Sequence, residues 1–271
     1  MTLHAGDKAF TGSIAKLYES CLVPLLFQPY AQDLAERLAG HALARVIELA
    51  AGTGVVTREL ARRLPASVDI VATDLNPGML EEAAARGTAR PVEWRQADAM
   101  HIPYGDESFD AVVCQFGVMF LPDKVRAFEE MRRVLRPGGM LLFNVWDAIE
   151  VNDFACAVTA AMAQRYPEDP PRFFARIPHG YHDRDAIVRD LELAGFGIPR
   201  IDTLEARSRA ESARAAAVGL CQGTPLRNEI EERDAGGLEA ATEDAARALG
   251  ARFGSGVVEG RMRAHVVVVP K

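Results

Sequence analysis

The sequence predicts a doubly wound α/β fold, in which helices cover both faces of a mostly parallel sheet. Two observations support this prediction. From residue 44 onward, short apolar runs rich in β-branched residues alternate with amphipathic segments of helical periodicity. The first of these runs also ends in a glycine turn that leads directly into a helix. Strands that alternate with helices in this way pair in parallel, because each helix carries the chain back across the sheet.

Five strands and three helices are predicted between residues 44 and 147. The strands combine apolar and β-branched residues, and the helices show apolar residues at three- to four-residue spacing. A turn at Arg136–Gly139 precedes the last strand. The predicted strands are Arg45–Ala50, Asp69–Asp74, Val92–Ala97, Phe109–Gln115 and Met140–Trp146, and the predicted helices are Val55–Leu64, Pro77–Arg86 and Asp123–Leu135.

Helical segments flank this alternating region on both sides. One helix of the second insertion opens with Thr224 as its cap and Pro225 at its first position, and another closes at Gly254. We predict helices within residues 10–40, 153–166, 183–194 and 210–253, and two further strands at 200–208 and 262–269.

We expect one domain over residues 1–271. Residues 1–40 form an N-terminal helical cap, residues 41–148 form the cofactor-binding core, and residues 149–271 complete the core. The last part carries helical insertions at about 150–182 and 210–256. These insertions have no obvious place in the sheet layers, so we expect them to cap the carboxyl edge of the sheet.

Composition and charge favour a small-molecule partner over nucleic acid. The net charge is −7 and there is no run of Lys and Arg, whereas a protein that wraps a polyanion needs a cationic surface. A local basic patch within this acidic total stays open. The N-terminus shows no secretory signal, and the apolar run Leu22–Phe27 is too short to span a bilayer. The four cysteines are scattered, which favours reduced thiols in the cytoplasm and no metal site.

A candidate ligand site follows the first two strands. Ligands of doubly wound sheets bind outside the carboxyl ends of the strands, where the strand order reverses. Gly52 and Gly54 follow the first strand and allow the backbone to approach a ligand closely. Asp74 ends the second strand, where its carboxylate can accept both hydroxyls of a ribose. Nicotinamide dinucleotide sites use the same arrangement, so these residues alone leave both cofactors open.

Three details favour another nucleoside cofactor. A dinucleotide fingerprint has a third Gly or Ala three positions after Gly54, where this chain has Thr57. Asp98 follows the third strand, and a carboxylate there can accept a hydrogen bond from the exocyclic amine of adenine. No lysine follows the glycines, which excludes a Walker-type phosphate loop.

Four segments together resemble the class I S-adenosylmethionine-dependent methyltransferases, and most closely the subgroup that methylates quinones, sterols and similar small metabolites. The resemblance covers residues 44–147, about 40% of the chain. It departs at Ala50, where the family usually has glycine; this matters only if the backbone there needs a positive φ. The segments are Val46–Gly54, Asp74 with Asn76–Leu80, Asp98–Ala99 before Ile102–Pro103 and Ser108–Asp110, and Arg133–Gly139.

The resemblance implies a role for each matching residue. Gly52 and Gly54 line the methionine end of the cofactor, in a motif that also includes Glu48 and Ala50. Asp74 holds the ribose. Apart from the resemblance, Tyr18 on the N-terminal helices is a candidate to close over the cofactor, with plain packing as the alternative. The remaining roles are adenine faces for Leu75 and Met79, the adenine edge for Asp98 and Ala99, and the border of the sulfonium for Gln115 and Phe116.

Structural alternatives remain open for several of these residues. The two glycines can be a plain strand-to-helix turn, and Asp74 can cap the next helix. Asp98 can be a solvated loop carboxylate, Met79 a core residue, and Gln115 an ordinary polar residue at a strand end.

The expected activity is methyl transfer from S-adenosylmethionine to O, N or C of a small, partly apolar metabolite, by in-line displacement that leaves S-adenosylhomocysteine. A base for the acceptor is sought in the loop Pro178–Asp183, where His179, Tyr181 and His182 are the candidates. The alternative is that His182 and Asp183 simply begin the next helix. A non-catalytic S-adenosylmethionine-binding protein and an NAD(P)-dependent oxidoreductase are the competing functions, and a homodimer stays open.

Overall fold

The computed structural model describes residues 13–271, so the predictions that fall on residues 1–12 lie outside the described residues. The described chain forms two compact units. The core unit comprises residues 28–145, 181–204 and 265–271, and the accessory unit comprises residues 13–27, 146–180 and 205–264. The expected single domain and its cap over the sheet edge stay predictions.

Helices and strands alternate along the described chain as the sequence predicts. A π-helical segment, Tyr18–Phe27, lies between the first two helices. The strands are β1 Arg45–Glu48, β2 Asp69–Asp74, β3 Glu93–Gln96, β4 Phe109–Gln115, β5 Leu135–Trp146, β6 Arg200–Ala210 and β7 Val258–Pro270. The α-helices are α1 Ser13–Leu17, α2 Gln28–Ala39, α3 Val55–Arg63, α4 Pro77–Arg86, α5 Lys124–Val134, α6 Asp153–Arg165, α7 Phe173–Arg176, α8 Arg184–Leu193, α9 Ala213–Gln222, α10 Leu226–Arg233 and α11 Leu238–Phe253.

The described strands form one seven-stranded sheet in the order β3-β2-β1-β4-β5-β7-β6. β1 pairs in parallel with both β2 and β4, and the outer pairs β2–β3 and β4–β5 are parallel as well. The order of the strands along the chain reverses between β1 and β4, so this is the switch point where doubly wound sheets bind ligands. The predicted fold class is confirmed.

Burial on both faces explains why the central strands are continuous apolar runs. Val46 and Ile47 of β1, and the stretch 111–113 of β4, are fully buried. Parallel sheets covered by helices need this composition, because neither face meets water. On α5 the buried face includes Phe128 and Met131, as its predicted apolar stripe requires.

The predicted turn at Arg136–Gly139 lies inside β5 as a large bulge. Phe109 pairs with Leu135 and Ala111 pairs with Met140, so four residues of β5 stand opposite Asp110 alone. β5 therefore begins five residues before the predicted strand. A Cβ at Gly139 would lie 2.8 Å from the carbonyl oxygen of Asp110, so only glycine fits there.

The N-terminal helix is interrupted where the sequence predicts a continuous one. Pro24 lies inside the π-helical segment. Proline lacks an N–H group and its ring clashes with the carbonyl four residues earlier, which disfavours regular α-helix. In the accessory unit, Gly219 of α9 faces this segment; a Cβ there would lie 3.2 Å from the Cβ of Cys21.

Three details of the accessory unit can be compared with the sequence-based expectation. α10 begins one residue later than predicted, since Pro225 is its cap residue and the Thr224 hydroxyl accepts the N–H of Leu226. α7 lies between the helices predicted at 153–166 and 183–194. α11 ends at Gly254 with φ 102°, as predicted for a glycine at that position.

The membrane and cysteine predictions can be compared with the described residues. None of the described helices combines the length and the apolar character that a bilayer crossing requires. The four cysteines all lie within the described part of the chain and are free thiols.

Candidate functional site

The glycine loop at residues 49–54 begins the candidate site in the core unit. Leu49 N–H donates to the carbonyl of Val113 on β4 at 2.8 Å, and Ala51 N–H donates to the carbonyl of Thr73 on β2 at 2.9 Å. The loop is therefore fastened to both neighbours of β1. Gly52 and Gly54 have φ of 56° and 82°, in the left-handed region that favours glycine.

Two residues other than glycine share this left-handed conformation at the switch point. Ala50 has φ 52° after β1, and Phe116 has φ 48° after β4. The departure from glycine at position 50 therefore matters, because a side chain in this region costs roughly 1–2 kcal/mol. Strained backbone of this kind persists only where the surrounding structure fixes it, and it clusters at functional sites.

Gly117 allows the loops after β1 and β4 to touch. A Cβ at this position would lie 2.6 Å from the Cβ of Ala50 and 2.7 Å from Sγ of Cys114. Any other residue would push the two loops apart. Sequence reasoning missed Gly117, because its requirement comes from a contact between loops that are far apart in the chain.

The Asp74 carboxylate connects the glycine loop to the start of α4. One oxygen accepts the N–H of Gly52 and the other accepts the N–H of Asn76, each at 2.8 Å. Burial raises the pKa of Asp74, although these hydrogen bonds oppose the shift. The cap residue of α4 is Asn76, so Asp74 is not the helix cap. Each carboxylate oxygen has a second lone pair, which leaves capacity for the two hydroxyls of a ribose.

The adenine candidates differ in what they present to a ligand. Leu75 is 43% exposed and offers apolar surface directly after β2. Met79 is 3% exposed, as the alternative of a core residue predicts. The Asp98 carboxylate accepts the N–H of Met100 at 2.9 Å, and both Asp98 and Ala99 are partly exposed in the loop after β3.

Phe116 is fixed on its backbone and on its ring. Its N–H donates to Oδ1 of Asn144 at 2.9 Å, and the edge of its ring packs against Tyr30 at 5.2 Å between centroids. The neighbouring Gln115 is partly buried at the end of β4. Sequence reasoning missed Asn144, which stands in an apolar strand and gives no signal of a partner on β4.

Glu48 is a fully buried carboxyl at the end of β1. It accepts a hydrogen bond from the Thr57 hydroxyl of α3. Burial raises the pKa of Glu48 to about 8, although Thr57 and the charge of Arg58 oppose the shift. Thr57 thus fills the position where a dinucleotide fingerprint has its third glycine, and it provides the hydroxyl that Glu48 needs.

The loop also carries an unpaired polar group. The Oγ1 atom of Thr53 is buried and has no hydrogen-bond partner among the described residues. A buried hydroxyl without a partner is unfavourable, so this atom suits a ligand that brings an acceptor or donor to the loop. The remaining lone pairs of Asp74 and the apolar surface of Leu75 also fit a nucleoside with a polar tail.

The other predicted site residues belong to two different units. In the accessory unit, Tyr18 stacks on Phe27 at 5.0 Å between centroids. His179 is buried there, and its Nδ1 lies 2.7 Å from the carbonyl oxygen of Asp147. A carbonyl only accepts hydrogen bonds, so Nδ1 carries a proton in this contact.

Tyr181 and His182 belong to the core unit. The Tyr181 hydroxyl donates to the Asp190 carboxylate at 2.8 Å, and burial together with this bond raises the pKa of Tyr181. His182 is exposed, and Asp183 caps α8 by accepting the N–H of Asp185, as the structural alternative predicts. The roles of Tyr181 and His182 as bases stay predictions.

Comparisons with known proteins identify the core strands as a recognised domain. Residues 47–143 match the family described as a methyltransferase domain. The demethylmenaquinone methyltransferase of Deinococcus radiodurans is 43% identical over 110 residues, which are 40% of this chain and 45% of that protein. The ubiquinone/menaquinone biosynthesis C-methyltransferase UbiE of Hahella chejuensis is 40% identical over 166 residues, 56% of this chain and 67% of that protein. The aligned part thus spans about half of the first relative and two thirds of the second.

A solved structure agrees in fold. An N-methyltransferase of Haemonchus contortus, in complex with phosphomonomethylethanolamine and S-adenosylhomocysteine, superposes with a TM-score of 0.60 at 16% identity. The match covers 99% of this chain and 60% of that one. At this identity the likeness concerns the fold alone.

Replacing Ala50 by glycine is expected to leave the free energy of unfolding unchanged or to raise it by up to about 1 kcal/mol, because glycine adopts φ 52° without a Cβ penalty. The matched control is Ala51→Gly, since Ala51 is buried beside it without a positive φ. That change is expected to lower stability by roughly 0.5–1 kcal/mol. Urea unfolding measures both, and equal losses in the two variants would contradict the strain at Ala50.

Glu48→Gln is expected to gain stability over the wild type as pH rises from 5 to 8. The pKa of Glu48 is about 8 in the folded chain against an ordinary value of 4.5. The favourable contribution of Glu48 to the free energy of unfolding is therefore complete below pH 4.5. It is lost as pH rises through 8, by at most about 1.4 kcal/mol per pH unit.

Urea unfolding at several pH values measures the difference between the Glu48→Gln variant and the wild type. Glu129→Gln is the control, because Glu129 lies exposed on α5. Parallel pH curves for wild type and Glu48→Gln would contradict a buried, protonated Glu48.

Proposed function

This chain belongs to the class I S-adenosylmethionine-dependent methyltransferases, and we propose that it transfers a methyl group to a small, partly apolar acceptor. One observation carries the proposal: the Asp74 carboxylate spans the glycine loop and the start of α4 at the switch point. It does so with lone pairs left for a ribose and beside the exposed Leu75.

Different residues of the core unit bind different parts of the cofactor. Asp74 accepts the ribose hydroxyls, Leu75 packs on the adenine, and Asp98 with Ala99 meets its edge. The glycine loop and the Thr53 hydroxyl take the methionine end, and the turn at Gln115 and Phe116 borders the sulfonium. When bound, S-adenosylmethionine supplies a methyl group that its sulfonium already activates. The chain's contribution is to bind and align, and loops fixed before binding do this at the least entropic cost.

Thr57 favours this cofactor over a dinucleotide. A dinucleotide fingerprint has a Gly or Ala at this position, which brings the helix against the pyrophosphate. Here the Thr57 side chain occupies that position, and its hydroxyl donates to the buried carboxyl of Glu48.

For the acceptor we propose a quinone-like ring. The support is the names of the two relatives, which refer to demethylmenaquinone and to ubiquinone and menaquinone biosynthesis. A ring of this kind is small and partly apolar, as the expected acceptor is. Its carbon is the first acceptor atom to test, before oxygen and nitrogen acceptors of similar size.

Where the acceptor must lose a proton, we propose His179 as the base. Its Nδ1 lies 2.7 Å from the carbonyl oxygen of Asp147, which fixes the orientation of the ring. We propose that it acts as the tautomer with the proton on Nδ1, in which Nε2 accepts the proton from the acceptor. By contrast, the Tyr181 hydroxyl is bound to Asp190, and its raised pKa opposes loss of the proton.

Calorimetric titration with S-adenosylhomocysteine tests the cofactor site. We expect binding by the wild type and at least about tenfold weaker binding by Asp74→Ala, or about 1.4 kcal/mol. Asp69→Ala is the control, because Asp69 lies exposed at the opposite end of the same strand. Absence of binding by the wild type would overturn the function, and thermal stabilisation by NAD instead would favour an oxidoreductase. Unchanged binding by Asp74→Ala would overturn the site.

His179→Gln is expected to lower kcat for methylation of a reduced demethylnaphthoquinone by roughly 100-fold or more, with unchanged affinity for S-adenosylhomocysteine. Transfer of radiolabelled methyl groups measures the rate, and His182→Gln, at an exposed position, should match the wild type. An unchanged kcat for His179→Gln would refute its role. Cofactor binding without turnover across a panel of C, O and N acceptors would instead indicate a non-catalytic binding protein.

A further inference from the structure

Asn144 is a fully buried polar residue near the end of β5. It pairs with Gln115 in the parallel register of β4 and β5. Two of its atoms converge on one donor: the N–H of Phe116 lies 2.9 Å from the side-chain Oδ1 and 3.2 Å from the main-chain carbonyl oxygen. The loop after β4 is therefore connected to β5 through Asn144.

The orientation of the Asn144 side chain follows from its partner. Phe116 offers an N–H, so the oxygen of the amide must face it and the nitrogen must face away. That nitrogen, Nδ2, is buried and has no hydrogen-bond partner among the described residues. An unpaired buried amide group is unfavourable, and an apolar side chain in this strand would avoid it. The hydrogen bond from Phe116 to Oδ1 is thus the one hydrogen bond in the described structure that an apolar side chain at position 144 would lack.

That bond holds a conformation which Phe116 does not prefer. A bulky aromatic residue at φ 48° is uncommon, because its Cβ crowds the backbone. Without Oδ1, the Phe116 N–H keeps only the longer contact, 3.2 Å, to the main-chain carbonyl of Asn144, and the turn after β4 can relax toward an ordinary φ. Such a shift would also move Gly117, which packs against Ala50 of the glycine loop.

We propose that Asn144 is a positioning residue of the cofactor site, which holds the Phe116 N–H so that the turn at residues 115–117 keeps the shape that borders the sulfonium. This inference rests on the proposed function, since that function gives the turn its ligand. Asn144 acts through Phe116 and is not a catalytic residue.

Titration of Asn144→Ala with S-adenosylmethionine tests the proposal. We expect at least about tenfold weaker binding than in the wild type. Leu142→Val is the matched control, because Leu142 is buried two residues earlier on the same strand and contributes packing alone. It should lower the urea midpoint and keep the wild-type affinity within about twofold.

The outcomes separate the two proposals. Binding by the wild type together with unchanged affinity in Asn144→Ala overturns the positioning role alone. An equal loss in Leu142→Val also overturns it, because general destabilisation then explains the effect. Absence of binding by the wild type overturns the proposed function and this inference with it.

A double-mutant cycle with Phe116→Gly makes the test specific. Glycine adopts φ 48° without strain, so Asn144→Ala should weaken binding by less than about threefold in that background. Equal losses in both backgrounds would overturn the proposal. Complete loss of binding in the single variant Phe116→Gly would show that binding depends on the phenyl ring instead of the shape of the turn. That outcome would overturn the proposal as well.

Discussion

The hydrogen bonds of one carboxylate, Asp74, hold the candidate site in shape. Its two oxygens accept the N–H groups of Gly52 and Asn76, so the loop after β1 and the loop after β2 cannot move independently. Both of these partners are backbone groups. A hydrogen bond contributes about 0.5–1.5 kcal/mol, so the pair helps to order a short loop before any ligand binds.

The second half of the site depends on the first through direct contact. Ala50 and Gly117 touch, so the position of the glycine loop determines where the chain can leave β4. The strain at Ala50 and Phe116 is tolerable because the strands beneath them are fully buried and paired on both sides. A rigid parallel sheet can hold a loop in a costly conformation, whereas an isolated loop would relax.

The sequence predicted those features that depend on local pattern. β2, β4 and α4 have the predicted bounds, because buried strands and an amphipathic helix with proline at its start are visible in short windows. The bulge in β5 escaped prediction, since it is defined by pairing with Asp110 on another strand. The same holds within the site: Asp74 follows from its place at a strand end, whereas the φ of Ala50 and the need for Gly117 arise from the contact of two distant loops. No window of sequence contains that contact.

Three unfavourable polar features of the core unit lie at the ligand edge of its sheet. They are the buried carboxyl of Glu48, and the hydroxyl of Thr53 and the amide nitrogen of Asn144, which have no hydrogen-bond partner among the described residues. All three lie at or beside the carboxyl ends of β1, β4 and β5. The interior of these strands is apolar, so the sheet itself does not require polar groups there. Proteins depart from local rules mainly where a site needs it, because packing for stability alone would replace such groups by apolar ones. These three costs therefore lie at the same edge that the strand order marks as the ligand site.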